Sequence, residues 1–200
     1  MPRKKTYHHG DLKNALIKAG VEILAKDGVS GLSLRKVATK AGVSHAAPYA
    51  HFADKQSLIA AISTEGFRQL YEQVSGVAGK YQSQPETQLV EAAWAYVQFA
   101  MEDRDRFKVM FSGVLEKEKD YPEFVAESQR TFQLVKMIVE ANQASGRLRS
   151  GDPALVALSA WGIIHGFIML LLEGQISRAV LEKMSLRELV EFQLEQIQVK

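Results

Sequence analysis

Cysteine is absent from the 200-residue chain, which removes disulfides, thiol catalysis and thiolate metal sites together. Catalytic signatures are missing as well, with no H-E-x-x-H, G-x-S-x-G, Walker A or Gly-rich phosphate loop in the sequence. The close carboxylates Glu102-Asp103 and Glu116/Glu118 sit in charge-rich stretches that read as solvated faces, so no enzyme is expected. Adjacent His8-His9, and the six-residue gap from His45 to His51, do not set two rings on one helix face at ligand spacing. Neither a metal nor a cofactor is therefore expected. No apolar core follows the basic start Met1-Pro2-Arg3-Lys4-Lys5, because Tyr7-His8-His9-Gly10-Asp11 comes next. Export is not expected, and a cytoplasmic location is. Repeats, low-complexity tracts and flexible linkers are lacking, and the few period-2 stretches are swamped by helical spacing.

What is present is an ordinary globular composition, 46% apolar and 24% charged, long enough to bury a core. The net charge of +2 hides an asymmetry. Residues 1–60 hold 10 Lys and Arg against 4 Asp and Glu, giving +6, while residues 61–200 hold 15 against 19, giving −4. Four of the five histidines also fall in the first segment. A basic head on an acidic body points to a nucleic-acid contact at one end. One long apolar run exists: Ala154 to Leu172 is 19 residues without a formal charge. Its length would span a bilayer, but the flanks Asp152-Pro153 and Glu173-Gly174 lack the Lys/Arg bias and aromatic belt of a membrane span. A buried or subunit-interface helix is the expectation, with no membrane partner.

The remaining pattern is helical throughout, and the expected fold class is all-α. Leu12, Leu16, Ala19 and Ile23 mark an amphipathic helix from Asp11 to about Lys26, ended by Asp27-Gly28. Ser33 is a natural N-cap for a short helix, Leu34 to Ala41, which Gly42 closes. Ser44 is placed to cap a second short helix through about His51, and Asp54 a long one from Lys55 to about Gly79. Further helices are expected near 85–103, 104–112, 121–145, 153–173 and 185–198, with room for another helical turn in 175–184.

Leu34 to Phe52 carries the most specific signal. Two short helices joined by a tight Gly-containing turn make a helix-turn-helix, whose second helix would lie in a DNA major groove. Ser44, His45, Ala46 and Ala47 would be nearest the base edges, with Tyr49 and Ala50 one turn on. With Ser44 as N-cap, Pro48 is the fourth helical residue and forfeits only one intrahelical bond; the other reading of Pro48 is a non-helical loop. The recognition segment contains no Arg, Lys, Asn or Gln, so base reading falls to His45, Ser44, methyl contacts from Ala46 or Ala47, and DNA shape.

Residues 8–60 resemble the N-terminal domain of the tetracycline-repressor (TetR) family of bacterial transcription regulators. The matching stretches are Leu34-Arg35-Lys36-Val37-Ala38, Ala41-Gly42-Val43-Ser44, Tyr49-Ala50-His51-Phe52 and Lys55-Gln56-Ser57-Leu58. His8-His9-Gly10-Asp11-Leu12 and Ala47-Pro48-Tyr49 look like the branch whose C-terminal domain is named for Trp, His and Gly, and Trp161, His165 and Gly166 supply a W-x-x-x-H-G spacing. The residue between Tyr49 and His51 is often Arg in that branch; Ala50 here departs from that pattern, without the DNA contact the resemblance would imply, so the usual operator preference does not carry over from the resemblance. The resemblance implies a three-helix DNA-binding head, residues 8–60, on a larger helical effector-binding and dimerisation body, residues 61–200. It implies phosphate contacts from the Tyr49 hydroxyl, Lys55 and Ser33 with the start of its helix, and from Arg35 and Lys36. His51 completes the set of DNA-side residues, and His8 and His9 would order an N-terminal arm near the DNA.

In the body, aromatic and Met stripes on helical spacing are first of all a core. They also leave polarizable walls suited to a small apolar or amphipathic effector. The resemblance puts that pocket in this region, with Trp94, Phe99, Met110, Phe132, Trp161 and His165 as its lining. His165 reads either as a satisfied core histidine or as a ligand anchor. The helices near 153–173 and 185–198 resemble the family's four-helix dimer interface, with small residues such as Gly162 and Gly166 for close approach. The expected function is a ligand-responsive repressor, a homodimer on a palindromic double-stranded DNA operator. Control by a protein partner, or by no effector, is the alternative, and an apolar-ligand carrier without DNA binding is the third.

Overall fold

The computed structural model describes residues 9–198. His8 lies outside them, as do the side chains of His9, Gly10 and Asp11. The first helix, α1, spans His9–Gly31 and buries Leu16, Ala19 and Ile23, the predicted apolar stripe. Gly28, expected to end it, instead breaks it: with φ 66° and ψ −174° the chain kinks there and resumes a further helical turn. Ser30 and Gly31, beyond the expected end of the helix, are therefore helical. Ser33 caps α2 (Leu34–Ala41), its hydroxyl accepting from the Lys36 N–H at 3.2 Å. Gly42 takes φ 70° and closes α2. Its N–H donates to Thr39 O (3.2 Å) and the Val43 N–H to Ala38 O (3.0 Å), the paired bonds of a Schellman end.

The second helix of the expected pair is not α-helical. Ala47–Ala50 forms a 3-10 turn. The N–H groups of Ala47, Tyr49 and His51 donate three residues back, to Ser44 O, Ala46 O and Pro48 O at 3.0, 3.2 and 2.9 Å. Pro48 explains the change, since it brings no N–H to an α-type ladder and its fixed φ suits the tighter turn. Ser44 accordingly starts the turn through its backbone carbonyl rather than as a side-chain N-cap. Asp54 then caps α3 (Lys55–Lys80) as expected, with its carboxylate accepting from Ser57 N–H at 2.7 Å and the Ser57 hydroxyl accepting from Asp54 N–H at 3.1 Å.

The remaining helices are α4 (Pro85–Glu102), α5 (Arg104–Met110), α6 (Pro122–Ala144), α7 (Pro153–Leu172), a single turn α8 (Arg178–Leu181) and α9 (Leu186–Glu195). Among the described residues no β-strand forms, and the fold is all-helical with one isolated bridge between Leu148 and Gln198.

Two compact units divide the chain. The first takes the chain up to Gly66 together with Asp105–Val125, and the second takes Phe67–Arg104 with Ala126–Lys200. In the first, Leu16, Val37, Phe52, Leu58, Ile59, Ile62 and Phe107 are fully or almost fully buried. Gly20 lets α1 approach α3 closely, since a Cβ there would lie 3.0 Å from Ile62 Cδ1. In the second, α4, α7 and α9 pack on one another, with Val97, Ile168, Val190 and Leu194 at the centre. Asn142, wholly buried, ties the chain there by donating to Pro85 O and Ile138 O, both at 2.9 Å. Arg187 of α9 pairs with Glu91 of α4.

Helix α7 has a mean hydropathy of 2.2 and is long and apolar enough to cross a membrane. One face, including Ala157, Ala160, Ile164 and Ile168, is buried within the second unit. The opposite face leaves Leu155, Leu158 and Leu170 exposed.

Candidate nucleic-acid interface

The first unit presents a continuous set of polar and cationic side chains around the 3-10 turn. Pro48 and Phe52 are buried and anchor it from beneath. Ser44, His45, Ala46 and Tyr49 are exposed on its outer side, Tyr49 to 62%. Such exposure argues against a core role for Tyr49, whereas Phe52, 2% exposed, is core. Arg35 and Lys36 are exposed on α2, and Lys55 is exposed on the first turn of α3. Ser33 is half-buried, its hydroxyl engaged at the start of α2. His51 differs from the others. It is half-buried beside Phe52, ring centroids 6.2 Å apart, and its Nε2 is buried.

An open cleft of about 550 Å³ lies between α1 and α2, lined by Lys26, Arg35, Lys36, Lys40 and His45 and by the acids Glu22 and Asp27. Lys40 pairs with Glu22 at 2.7 Å and Lys36 with Asp27 at 3.9 Å. The Lys40 hydrogen bond, followed by its charge, holds the Glu22 carboxyl below its ordinary value. These surface pairs contribute little stability in water.

Two side chains here escaped sequence reasoning. Thr39 donates its hydroxyl proton to Arg35 O at 3.1 Å and lies 3.1 Å from His45 Nε2. Gln56, beside Lys55, grips the backbone of a distant loop with both ends of its amide: Nε2 donates to Val114 O, and Oε1 accepts from Glu116 N–H, each at 3.3 Å. The Thr39 back-bond to position i−4 is a common helical habit. No sequence signal links Gln56 to residues 58 and 60 positions on.

The six residues assigned to an effector pocket divide. Phe132, Trp161 and His165 come together in the second unit, with Trp161 6.2 Å from Phe132 and 5.8 Å from His165 between centroids. Tyr96 of α4 completes this cluster. The Trp161 indole N–H donates to the Tyr96 oxygen at 3.2 Å, and the Tyr96 hydroxyl lies 2.8 Å from His165 Nδ1. Indole is a donor only, so the Tyr96 oxygen accepts from it, while the bond between that oxygen and His165 Nδ1 runs in the direction the imidazole tautomer sets. Burial raises the Tyr96 phenol and lowers His165, keeping both neutral near pH 7. Trp94, half-buried, and Phe99, buried, also lie on α4. Met110 belongs to the first unit, where its thioether fills the space over Gly66: a Cβ there would meet Met110 Sδ at 2.4 Å.

A capped short helix, a Schellman turn and an outward-facing second turn define the class: a helix-turn-helix DNA-binding protein. Residues 16–62 match the model of bacterial regulatory proteins of the tetR family, and residues 89–197 match that of the tetracyclin repressor-like C-terminal domain. The chain belongs to the TetR family and is a DNA-binding transcription regulator. Its sequence is 24% identical over 178 residues to the uncharacterized HTH-type transcriptional regulator YobS of Bacillus subtilis (strain 168), covering 88% of each chain. A solved Rhodococcus sp. RHA1 protein of unknown function is 32% identical, with a TM-score of 0.79 over 98% of this chain and 100% of that one. The TetR family transcriptional regulator PfmR of Thermus thermophilus shares the fold at 19% identity, with a TM-score of 0.67 over 77% of this chain and 84% of its own.

Proposed function

We propose that this regulator is a ligand-responsive repressor acting in the cytoplasm as a homodimer on a near-palindromic operator. The observation that carries the DNA half is the 3-10 turn. Its buried Pro48 and Phe52 fix a rigid base from which Ser44, His45, Ala46 and Tyr49 project, flanked by the exposed cations Arg35, Lys36 and Lys55. On this reading residues 8–60 are the DNA-binding domain and residues 61–200 the effector and dimerisation domain. Tyr49, Ser33, Arg35, Lys36 and Lys55 hold phosphates, while His45, Ser44 and Ala46 meet base edges. His51 supports the turn from inside.

Dimerisation is supported by the uncovered face of α7, where Leu155, Leu158 and Leu170 surround the exposed Gly162 and Gly166, and by Phe192 on α9. Effector control is supported by the neutral aromatic cluster of Phe132, Trp161, Tyr96 and His165, which suits an apolar or amphipathic molecule. The Trp161, His165 and Gly166 spacing favours the branch named for those residues. Each subunit engaging about four phosphates gives log K a slope near −7 against log salt. Footprinting on upstream DNA, with titrations at several salt concentrations, tests the reading; a slope near zero, or no protected site, defeats it.

A further inference from the structure

We infer that Thr39 sets which base His45 reads, by fixing the ring proton on Nε2 so that the imidazole meets the major groove as a hydrogen-bond acceptor. This rests on the assignment of His45 to the DNA surface. The Thr39 hydroxyl has one proton and gives it to Arg35 O at 3.1 Å. With that proton committed, the same oxygen can only accept from His45 Nε2, also 3.1 Å away. Nε2 therefore carries hydrogen. A neutral imidazole has a single N–H, so Nδ1 is left as the accepting nitrogen.

His45 is exposed, and its neighbours Ala46 and Ala47 bring no polar side-chain atom, so beside the Ser44 hydroxyl the ring is the polar group of this part of the turn. In the major groove an accepting nitrogen pairs with an exocyclic amino group, N4 of cytosine or N6 of adenine. Guanine N7 and O6 and thymine O4 are acceptors themselves and repel it. The base contacted by His45 is thus an amino base, adenine or cytosine. Guanine reading by a donating side chain is not what this turn is built for. Thr39 is a positioning residue: freed of it, the ring can carry its proton on either nitrogen, and the distinction between amino and keto partners fades.

The experiment uses the full chain at pH 8 and operator duplexes obtained by selection from a random pool. Single bases are replaced by analogues lacking the major-groove amino group (purine for adenine, 2-pyrimidinone for cytosine) or the N7 acceptor (7-deazapurines). Amino deletion at one position per half-site is expected to weaken binding by about fivefold, one ordinary hydrogen bond. His45→Ala should be insensitive to that same deletion, which separates the lost contact from weakened base pairing. Thr39→Val should shrink the effect, and Thr39→Ser should restore it, with unchanged melting temperatures for both. Sensitivity to 7-deaza substitution instead of amino deletion at the His45-dependent position would overturn the inference, as would a Thr39→Val protein that discriminates like wild type. If His45→Ala changes the response at no position, it is the placement of His45 on the bases that fails.

Discussion

Tyr49 and His165 carry polar atoms that do opposite things, and their surroundings decide which. Tyr49 is 62% exposed, so removing its hydroxyl is expected to leave the fold untouched. Tyr49→Phe is expected to weaken DNA binding by about 1.5 kcal/mol per subunit, the worth of a hydrogen bond to a charged group. With a phosphate as the proposed partner, operator and random DNA should lose affinity by the same factor, with no shift in melting temperature. Gel-shift titrations on both DNAs check this; selective loss on the operator alone would make Tyr49 a base reader. His165 is half-buried in the cluster with Tyr96 and Trp161, and burial lowers it below its ordinary value of 6.5. As pH falls through that value the unfolded chain takes up the proton and the folded one resists, so folding stability drops with falling pH and the loss levels off below the folded value. Between pH 8 and pH 5.5 the melting temperature of wild type should therefore fall further than that of His165→Gln. Parallel curves would remove His165 from the acid sensitivity.

Among the elements, the turn between α2 and the 3-10 turn depends on one backbone conformation. Gly42 holds φ 70°, and a side chain in that region costs about 1–2 kcal/mol. Gly42→Ala is expected to lower stability by that amount, measured by urea unfolding. Gly76→Ala, inside α3 with open space around the added carbon, should instead raise it by about 0.5–1 kcal/mol. If both substitutions destabilise alike, the strain at Gly42 is not what matters. The contrast also explains what could be read in advance. Ser33, Gly42 and Asp54 act within three or four residues of themselves, so the ends of α2 and the start of α3 were legible in the sequence. Pro48 was legible as an irregularity. Its consequence, a 3-10 rather than an α turn, came from a choice between i→i+3 and i→i+4 bonds that the buried neighbour Phe52 helps decide. The contacts of Tyr96 with Trp161 and His165 join positions 65 and 69 apart, and those of Gln56 join positions 58 and 60 apart. Periodicity assigns such residues a face but no partner. The tertiary fold alone sets Tyr96 against the two polar atoms of α7.

For the whole molecule, α7 is apolar on two faces, one packed within the second unit and the other uncovered. Leu155, Leu158 and Leu170 are each more than half exposed, a face that water alone does not favour on a helix of mean hydropathy 2.2. Between them Gly162 and Gly166 leave a shallow groove, and a carbon added to either meets no atom within 4 Å in the same protomer. Gly162→Leu should therefore fold as wild type, and the open helix position even favours it, while the new side chain stands where a second copy of α7 would approach. The expected result is a protein with unchanged helix content that sediments as a monomer at micromolar concentration. Its operator affinity should fall by on the order of 100-fold, because two half-sites no longer share one binding event. Its affinity for an isolated half-site should not change, since no residue of the first compact unit is altered. A dimeric Gly162→Leu protein with full operator affinity would move the subunit contact off this face of α7, and would leave the exposed leucines to be accounted for by another partner.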